Sequence, residues 1–482
     1  MDTLTDPEGR VTEFDYDARG LPVQVTWDNQ YVMNQQFDAL GRLTEREAPN
    51  GVVTSHEYDE LSQIQEITHE KSDQTVISSF DYEYDGAGNI VSITEADSAA
   101  FEYGYDETDQ LVKEVRYDDT GDTVYGRAYQ YDPLGNRLVK EDLVTGDTTG
   151  YSYGADNRML SAGDVSFSYD IGGNMVEKDD NGDTVAYEWD EGNNLSKVTL
   201  SDGTTMELEY DGDHIRASRT IDGEEVQFAW DPQNFNVLSE YDELGTEQAA
   251  YGPQIGMDDP WVMMRESGAY FYQTDHLNSV TELTDENEAV QNEYRYKAFG
   301  EALAAVEMVE NEYQFTARRR DGVDGIQFNR FRHYQAKFGR WNQWDVMRYL
   351  DSSNLYLYAL NNPLTYLDHL GFAAAAFPGG STSTVGPVMD DSSDIRPLRP
   401  PCVTEPEPCE GGAPRNWAAC NERCMASGEG RYPDEFATEH RVIYSPRSTT
   451  PGLDSPPGSP IDLRVLIELW CGVACFFNKC AY

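Results

Sequence analysis

FDALGRLTEREAPNGVVTSHEYD, residues 37–59, contains the pattern that decides the fold. An aromatic–Asp pair opens an Asp-x-x-Gly turn at Asp38 to Gly41, an alternating segment follows, and Asn50-Gly51 marks a second turn. Alternation is typical of strands with one buried face, and Asn-Gly between such segments is typical of tight hairpins. Asp at the first turn position bonds the backbone two residues on, and Gly adopts a conformation that other residues resist. The stretch therefore predicts one β-hairpin.

The same unit recurs along most of the chain. Aromatic–Asp pairs begin at Tyr16, Phe37, Tyr58, Tyr84, Tyr105, Tyr131, Tyr169, Trp189, Tyr210 and Trp230. Successive steps are 21, 21, 26, 21, 26, 38, 20, 21 and 20 residues, and the long step contains a degenerate copy at Tyr153 to Asp156. A single hairpin cannot bury its face alone, so the copies are expected to stack edge to edge into a long antiparallel sheet. Such a sheet must twist and either close or cover its edges.

Composition agrees with a sheet protein. Aromatic residues make up 12% of the 482 residues, with 31 Tyr and 18 Phe. This bias is typical of strands with one packed and one wet face, where the ring is buried and the hydroxyl is expected to reach water.

The formal charge of −53 excludes one class of function for the body of the chain. Residues 1–372 hold 74 acidic and 26 basic side chains, and the remainder holds 14 and 9. Such a surface repels phosphates, so we expect no nucleic-acid partner for the sheet. Acidity of this kind also keeps a tyrosine-rich sheet protein in solution.

The first residues, MDTLTDPEGRVTEF, lack the basic start and apolar centre of a signal peptide, and no run approaches the roughly 20 apolar residues that span a bilayer. The sequence starts inside the repeat pattern. We therefore expect it to be the C-terminal portion of a longer polypeptide, with any export signal outside this sequence and no transmembrane span within it.

The units FDALGRLTE, YDGAGNIVSI and YDPLGNRLVK resemble YD (RHS) repeats. Residues 271–301, FYQTDHLNSVTELTDENEAVQNEYRYKAFGE, are similar to the hallmark segment of that family, a Thr-Asp-His-Leu-x-Ser-Val box before a Tyr-x-x-Phe-Gly-Glu box. Residues 356–371 resemble the closing motif of the RHS repeat-associated core, Tyr-x-Tyr-x-x-x-Asn-Pro-x-x-x-x-Asp-x-x-Gly. The resemblance covers about residues 6–372, and the array with both boxes in order is highly specific.

The resemblance implies a spiralled β shell, as in Tc toxin C components, RHS polymorphic toxins and teneurins. We accordingly predict an all-β fold of stacked hairpins in residues 1–270, a core in 271–372 that closes the shell, a Pro-rich linker in 373–414 and a variable segment in 415–482. Family shells are usually longer than this one. The shell is therefore expected to need a partner chain or further N-terminal repeats to close.

The resemblance also implies chemistry at the end of the core. In family members that cut themselves, two aspartates hydrolyse the bond just after the closing motif, and these fall on Asp345 and Asp368. The supporting arginine falls on Arg332, and the cleaved bond would join Phe372 to Ala373. Two carboxylates that share a site do not both ionise easily, so one keeps a proton for the carbonyl while the other accepts a proton from water.

A structural interpretation stands beside the catalytic one. Asp in a turn is what every repeat already contains, and Arg332 also suits an ordinary strand surface. The family pattern places Pro after each Asp, whereas this chain has Val346 and His369. Proline would fix the backbone there, and His369 could pair with Asp368 and favour its ionised form.

We predict no metal and no cofactor. His276 lies beside Asp275, but no Cys and no second His is near in sequence, so a structural turn is favoured.

Residues 373–482 contain 14 of the 22 Pro and all 7 Cys. Two helices are predicted at residues 415–427 and 461–480. Each carries two cysteines four residues apart, which places each pair on one helical face. Pairing Cys420 with Cys475 and Cys424 with Cys471 would staple the helices, while reduced cysteines and a zinc site remain alternatives. The pairing of Cys402, Cys409 and Cys480 stays undetermined.

Three hypotheses of function follow. The first is the shell of a secreted or surface toxin-type protein that holds its own C-terminal segment as cargo, with an immunity protein as a further partner. The second is a non-catalytic cell-surface adhesion or glycan-binding protein. The third is a fragment of a longer RHS protein.

Overall fold

The computed structural model describes residues 2–154, 156–232, 234–346, 352–372 and 374–376. Within them 29 strands form one antiparallel sheet, in which each strand pairs with the next along the chain. The prediction of an all-β fold of stacked hairpins is confirmed. The sheet continues without a break past residue 270 to Glu307. Except for residues 374–376 at the start of the predicted linker, the linker, the predicted helices and all seven cysteines lie outside the described residues.

The first half of the sheet comprises β1 (Asp2–Thr5), β2 (Val11–Tyr16), β3 (Pro22–Trp27), β4 (Tyr31–Phe37), β5 (Leu43–Glu47), β6 (Val53–Tyr58), β7 (Ile64–Glu70), β8 (Val76–Tyr84), β9 (Ile90–Glu95), β10 (Ala100–Tyr105), β11 (Leu111–Tyr117), β12 (Thr123–Tyr131), β13 (Arg137–Asp142) and β14 (Thr148–Tyr153). The second half comprises β15 (Met159–Ala162), β16 (Val165–Tyr169), β17 (Met175–Asp180), β18 (Asp183–Trp189), β19 (Leu195–Leu200), β20 (Thr205–Tyr210), β21 (Arg216–Ile221), β22 (Glu224–Trp230), β23 (Val237–Asp242), β24 (Glu247–Tyr251), β25 (Val262–Arg265), β26 (Gly268–Thr274), β27 (Val280–Asp285), β28 (Val290–Tyr296) and β29 (Ala302–Glu307).

Short elements follow the sheet. A four-stranded sheet contains β30 (Arg319–Arg320), β31 (Gln327–Asn329), β32 (Arg332–Gln335) and β33 (Arg340–Trp341), and a two-stranded sheet contains β34 (Tyr366–Leu367) and β35 (Ala375–Ala376). Two 3₁₀ turns span Phe315–Ala317 and Ala359–Asn361. Residues 311–372 are called the closing segment below.

The repeat turn has the chemistry that the sequence predicts. Asp85 Oδ1 accepts hydrogen bonds from the backbone N–H groups of Ala87 and Asn89, at 2.8 and 3.0 Å. Its Oδ2 accepts from the Asn89 side chain at 3.1 Å, and that amide also donates to Asp109 of the next repeat turn. This turn is therefore fixed by its own aspartate and joined to its neighbour.

The aromatic residue of most pairs connects consecutive repeats. The Tyr105 hydroxyl donates to the carbonyl of Ile90 at 2.7 Å, and the Trp189 indole N–H donates to the carbonyl of Met175 at 2.8 Å. Equivalent bonds to an earlier strand are made by Tyr58, Tyr84, Tyr131, Tyr153, Tyr210, Trp230 and Tyr296. The expectation that these hydroxyls reach water is wrong, because they bind backbone carbonyls instead.

The sheet winds back onto itself, so that its later strands pack against its first ones. Arg46 of β5 binds both carboxylate oxygens of Asp259 at 2.7 Å, and Ser78 of β8 donates to Glu282 of β27 at 2.9 Å. Trp27 is buried in an apolar cluster with residues of β25 and β26. The result is a spiral whose two layers are joined by buried polar contacts.

The closing segment packs into this spiral. Tyr334, Trp341 and Tyr358 are buried together in the apolar cluster that also contains residues of β7 to β12. Its polar groups bind the repeat turns: Asn361 donates to the carbonyl of Gly135, and Asn362 donates to the Asn89 side chain, both at 2.8 Å. These contacts position the residues that follow the sheet. In the described part of the chain no helix is long and apolar enough to cross a membrane.

Tyr105→Phe is expected to lower the free energy of unfolding by about 1–2 kcal/mol, because the ring still packs but the buried carbonyl of Ile90 loses its donor. Tyr117→Phe is the matched control, since that hydroxyl donates to Glu102 at 3.2 Å on the surface, and a change within about 0.5 kcal/mol is expected. Urea denaturation measures both. Equal effects of the two substitutions would contradict the role assigned to the buried bond.

Candidate active site

The three residues proposed for catalysis lie together at the end of the closing segment. Arg332 begins β32, Asp345 follows β33, and Asp368 follows β34. The Arg332 Nη2 atom lies 2.8 Å from Asp345 Oδ2 and 2.7 Å from Asp368 Oδ2. The three side chains are at most 4% exposed. The structure thus brings two carboxylate oxygens within hydrogen-bond distance of one nitrogen atom.

Packing fixes the guanidinium that joins the two aspartates. Arg332 lies over the Trp341 ring, with its Cζ atom 4.1 Å from the ring centroid. The backbone N–H of Asp345 donates to the carbonyl of Leu355 at 3.0 Å, which ties the residue after β33 to the next part of the chain. Stacking on an aromatic face and a fork of donors are features that suit arginine to a buried ion pair.

Asp368 shares one hydrogen bond with the aspartates of the repeat turns. Its Oδ1 accepts from the backbone N–H four residues on, that of Phe372, at 2.8 Å, as Asp85 Oδ1 does from Asn89. Its Oδ2 accepts from Arg332, whereas Asp85 Oδ2 accepts from the side chain four residues on. Asp368 therefore both forms a turn and contacts the arginine of the candidate site.

Gly371 lets this turn pack closely on β32. Its φ is +73°, and a Cβ atom there would lie 2.8 Å from the Arg332 Cβ and 3.0 Å from the Arg332 backbone nitrogen. The Phe372 ring stacks on Phe331, with centroids 4.5 Å apart. The residue before the proposed cleavage point is thereby held on both its backbone and its ring. Ala373, the other residue of that bond, lies outside the described residues.

Burying the two carboxylates of this site costs electrostatic free energy. Removing a carboxylate from water costs several kcal/mol, and two neighbouring carboxylates also repel each other. A single guanidinium between them offsets part of that cost for both. Two carboxylates that contact one cation are also the groups that aspartic hydrolysis uses.

His369 does not pair with Asp368. Its Nδ1 lies 2.7 Å from Oδ2 of Asp258, a fully buried residue in the loop between β24 and β25. Sequence reasoning missed Asp258. Its only signal is that the repeat, which still gives an Asp-x-x-Gly turn at Asp242 to Gly245, does not continue through the irregular stretch from Gly252 to Trp261.

Asp275 and His276 lie in a hydrogen-bonded turn. Asp275 Oδ1 accepts from the backbone N–H groups of Leu277 and Ser279, both at 2.8 Å, and His276 Nε2 lies 3.2 Å from the carbonyl of Leu364. Burial raises the pKa of Asp275 to about 7 and lowers that of His276 to about 4. No group of three His, Cys, Asp or Glu side chains in the described ranges is arranged to hold a metal ion.

Comparison with known families gives two matches. The model described as teneurin YD-shell matches residues 56–364, and the model described as RHS repeat matches residues 37–74.

Named relatives match over part of their length. The tRNA nuclease WapA of Bacillus subtilis (strain 168) is 27% identical over 277 residues, which cover 55% of this chain and 11% of that protein. Toxin protein Tse5 of Pseudomonas aeruginosa is 25% identical over 359 residues, which cover 60% of this chain and 26% of that protein. The chain thus spans about a quarter or less of the length of these relatives.

Solved structures share the fold. The Photorhabdus luminescens Tc holotoxin pore has a TM-score of 0.66 at 19% identity, with 78% of this chain and 21% of that chain covered. The TcdB2-TccC3 crystal structure has a TM-score of 0.60 at 19% identity, with 77% and 21% covered.

Arg332→Met is expected to lower the free energy of unfolding by about 3–5 kcal/mol, because two buried carboxylates then face each other without a cation. Adding Asp345→Asn to this variant is expected to recover part of the loss. Arg19→Met, which removes a half-exposed cation from its pair with Asp17, is the control and should change stability by less than about 1 kcal/mol. Chemical denaturation at pH 7 measures all three, and a wild-type-like Arg332→Met would contradict the bridge.

Asp275→Asn is expected to change the pH dependence of stability. Because the pKa of Asp275 is raised from 3.8 to about 7, the folded chain binds more protons than the unfolded chain between these values, and the stability contributed by this group falls as pH rises through them. Asn keeps the carbonyl acceptor and does not titrate. The stability of the variant relative to that of wild type should therefore be greater at pH 7.5 than at pH 5, by roughly 2.5 kcal/mol. Denaturation midpoints at both pH values give this difference, and no change in the difference would contradict the assignment.

Proposed function

This chain belongs to the teneurin YD-shell family, and from that membership we propose that it closes a toxin-type shell and cuts itself after Phe372 to free its C-terminal segment. Its repeats form a YD shell homologous to toxin-associated RHS proteins and similar in fold to Tc toxin shells. The whole relatives are much longer, so cargo, partners and cleavage are proposals for this chain.

The placement of Arg332 between Asp345 and Asp368 is the observation that carries the proposed cleavage. Residues far apart in sequence converge in a buried position, at the point where the resemblance places an aspartyl site. The Phe372 backbone N–H donates to Asp368 itself, so the residue that carries the proposed cleavage point is in direct contact with a carboxylate. Because site and bond belong to one chain, positioning replaces substrate binding.

In the proposed reaction a water molecule adds to the carbonyl carbon of Phe372. Asp368 accepts one proton of the water, and a protonated Asp345 donates its proton to the carbonyl oxygen, which gives a diol. The carbon–nitrogen bond then breaks, the leaving amine of Ala373 takes the proton from Asp368, and one diol hydroxyl returns its proton to Asp345. The products are a carboxyl group on Phe372 and an amino group on Ala373. Arg332 stabilises the negative charge that the pair carries throughout.

We propose that the cargo is residues 373–482, whose composition differs sharply from that of the repeats. The relatives carry names as different as tRNA nuclease, deoxyribonuclease and double-stranded DNA deaminase toxin, so we propose no single activity for the cargo. The toxin names among the relatives favour this proposal over adhesion or glycan binding. We further propose a secreted or cell-surface location, an immunity protein for the cargo, and completion of the shell by another chain or further repeats.

Mass analysis of the expressed full-length chain tests the cleavage. Wild type is expected to yield two products, one of about 110 residues that starts at Ala373, while Asp345→Asn and Asp368→Asn remain intact because each lacks one of the two proton carriers. Asp38→Asn is the matched control: it changes another Asp-x-x-Gly turn, and should leave cleavage unaffected. An intact wild-type chain, or cleavage indifferent to both site substitutions, would overturn the proposal.

A further inference from the structure

Asp258 is the centre of a buried charge cluster that the proposed reaction does not use directly. Its carboxylate is 0% exposed and accepts from Arg318 Nη1, from Arg330 Nη2 at 2.9 Å and from His369 Nδ1 at 2.7 Å. Its own backbone is bound as well, because its carbonyl accepts from the Asn278 side chain at 3.0 Å. One carboxylate therefore joins a loop of the spiral to three points of the closing segment.

These points flank the candidate active site. Arg330 lies two residues before Arg332, and its Nη1 donates to the His369 carbonyl at 2.8 Å as well as to Asp258 Oδ2 at 3.1 Å. The preceding residue, Asn329, donates its side-chain amide to the carbonyl of Asp368 at 2.8 Å. The backbone carbonyls of residues 368 and 369 are thus held by Asn329 and Arg330, and Arg330 is bound to Asp258.

The charges of this cluster favour the ionised form of Asp258. Burial by itself would raise the pKa of Asp258, but the guanidinium groups of Arg318 and Arg330 and the bond from His369 hold it well below its usual range. A carboxylate only accepts hydrogen bonds, so His369 Nδ1 carries the proton that it donates. The His369 side chain is 27% exposed, and it is the most accessible member of the cluster.

We propose that Asp258 and His369 are positioning residues: the hydrogen bond from His369 Nδ1 to Asp258 fixes the turn that presents Asp368 to Arg332 and Phe372. The inference rests on the proposed cleavage. Neither residue touches the reacting bond, and both act through the backbone of residues 368 and 369. A small displacement of a reacting group is enough to slow an intramolecular reaction by about 10²-fold.

Two isosteric substitutions separate this role from a general structural one. His369→Asn places an amide donor where Nδ1 is, and release of the C-terminal product is expected to stay within about threefold of wild type. His369→Gln is longer and places its amide near the position of Nε2, so release is expected to slow by about 10- to 100-fold. The rate is the appearance of the product over time after synthesis in a cell-free system.

His214→Leu is a control for loss of a turn histidine elsewhere, and denaturation midpoints check that the variants are folded. Equal release by His369→Asn and His369→Gln, whether both fast or both slow, would overturn the positioning role while leaving the proposed cleavage in place. If His369→Gln does not fold, Asp258→Asn, which keeps an acceptor but loses the charge, is expected to slow release in its place, and wild-type release by it would overturn the inference. A wild-type chain that never releases the product contradicts the cleavage itself and this inference with it.

Discussion

The bond from a half-buried aromatic side chain to the backbone of an earlier strand is the interaction on which the spiral depends. A hairpin pairs with its neighbours only along its edges, and neighbouring strands can slip when nothing fixes their register. The bond from Tyr105 to Ile90, repeated by tyrosine or tryptophan in other units, adds a contact across the hairpin that does not belong to the ladder of strand pairing. The repeat therefore needs a residue that is large, apolar and able to donate one hydrogen bond. Tyrosine and tryptophan meet these conditions.

Buried charge has a different role in the closing segment. Arg319 donates to Glu240 of β23 at 2.8 Å, and Arg216 of β21 binds Asp321 at 2.6 Å, all of them almost fully buried. Buried ion pairs of this kind add little net stability compared with apolar packing, but a misplaced chain would leave each charge without a partner. We infer that they define one position for the closing segment inside the spiral. The Asp258 cluster and the Arg332 bridge belong to the same class of contact.

The parts of the structure that follow local rules could be predicted from the sequence. The spacing of aromatic–Asp pairs located the hairpins because turn chemistry and alternation act within about 20 residues. The trio of Arg332, Asp345 and Asp368 came from motif resemblance, since spacing alone gives no reason for residues 36 apart to share an atom-to-atom contact. The role of Asp258 could not be predicted, because its partner His369 is 111 residues away. The hydrogen-bond partner of the tyrosine hydroxyls could not be predicted either, because solvent-exposed and buried strand faces have similar sequence patterns.

The direction of the aromatic bonds bears on how the chain is made. Every donor lies later in the sequence than the carbonyl it binds, by 14 to 20 residues in the cases described. A chain that emerges from the ribosome N-terminus first therefore presents each acceptor strand before its donor arrives, and every new hairpin can be secured on the one already formed. The closing segment, which binds many repeat turns at once, is synthesised after all of them. The acceptor of each of these bonds is therefore always synthesised before its donor.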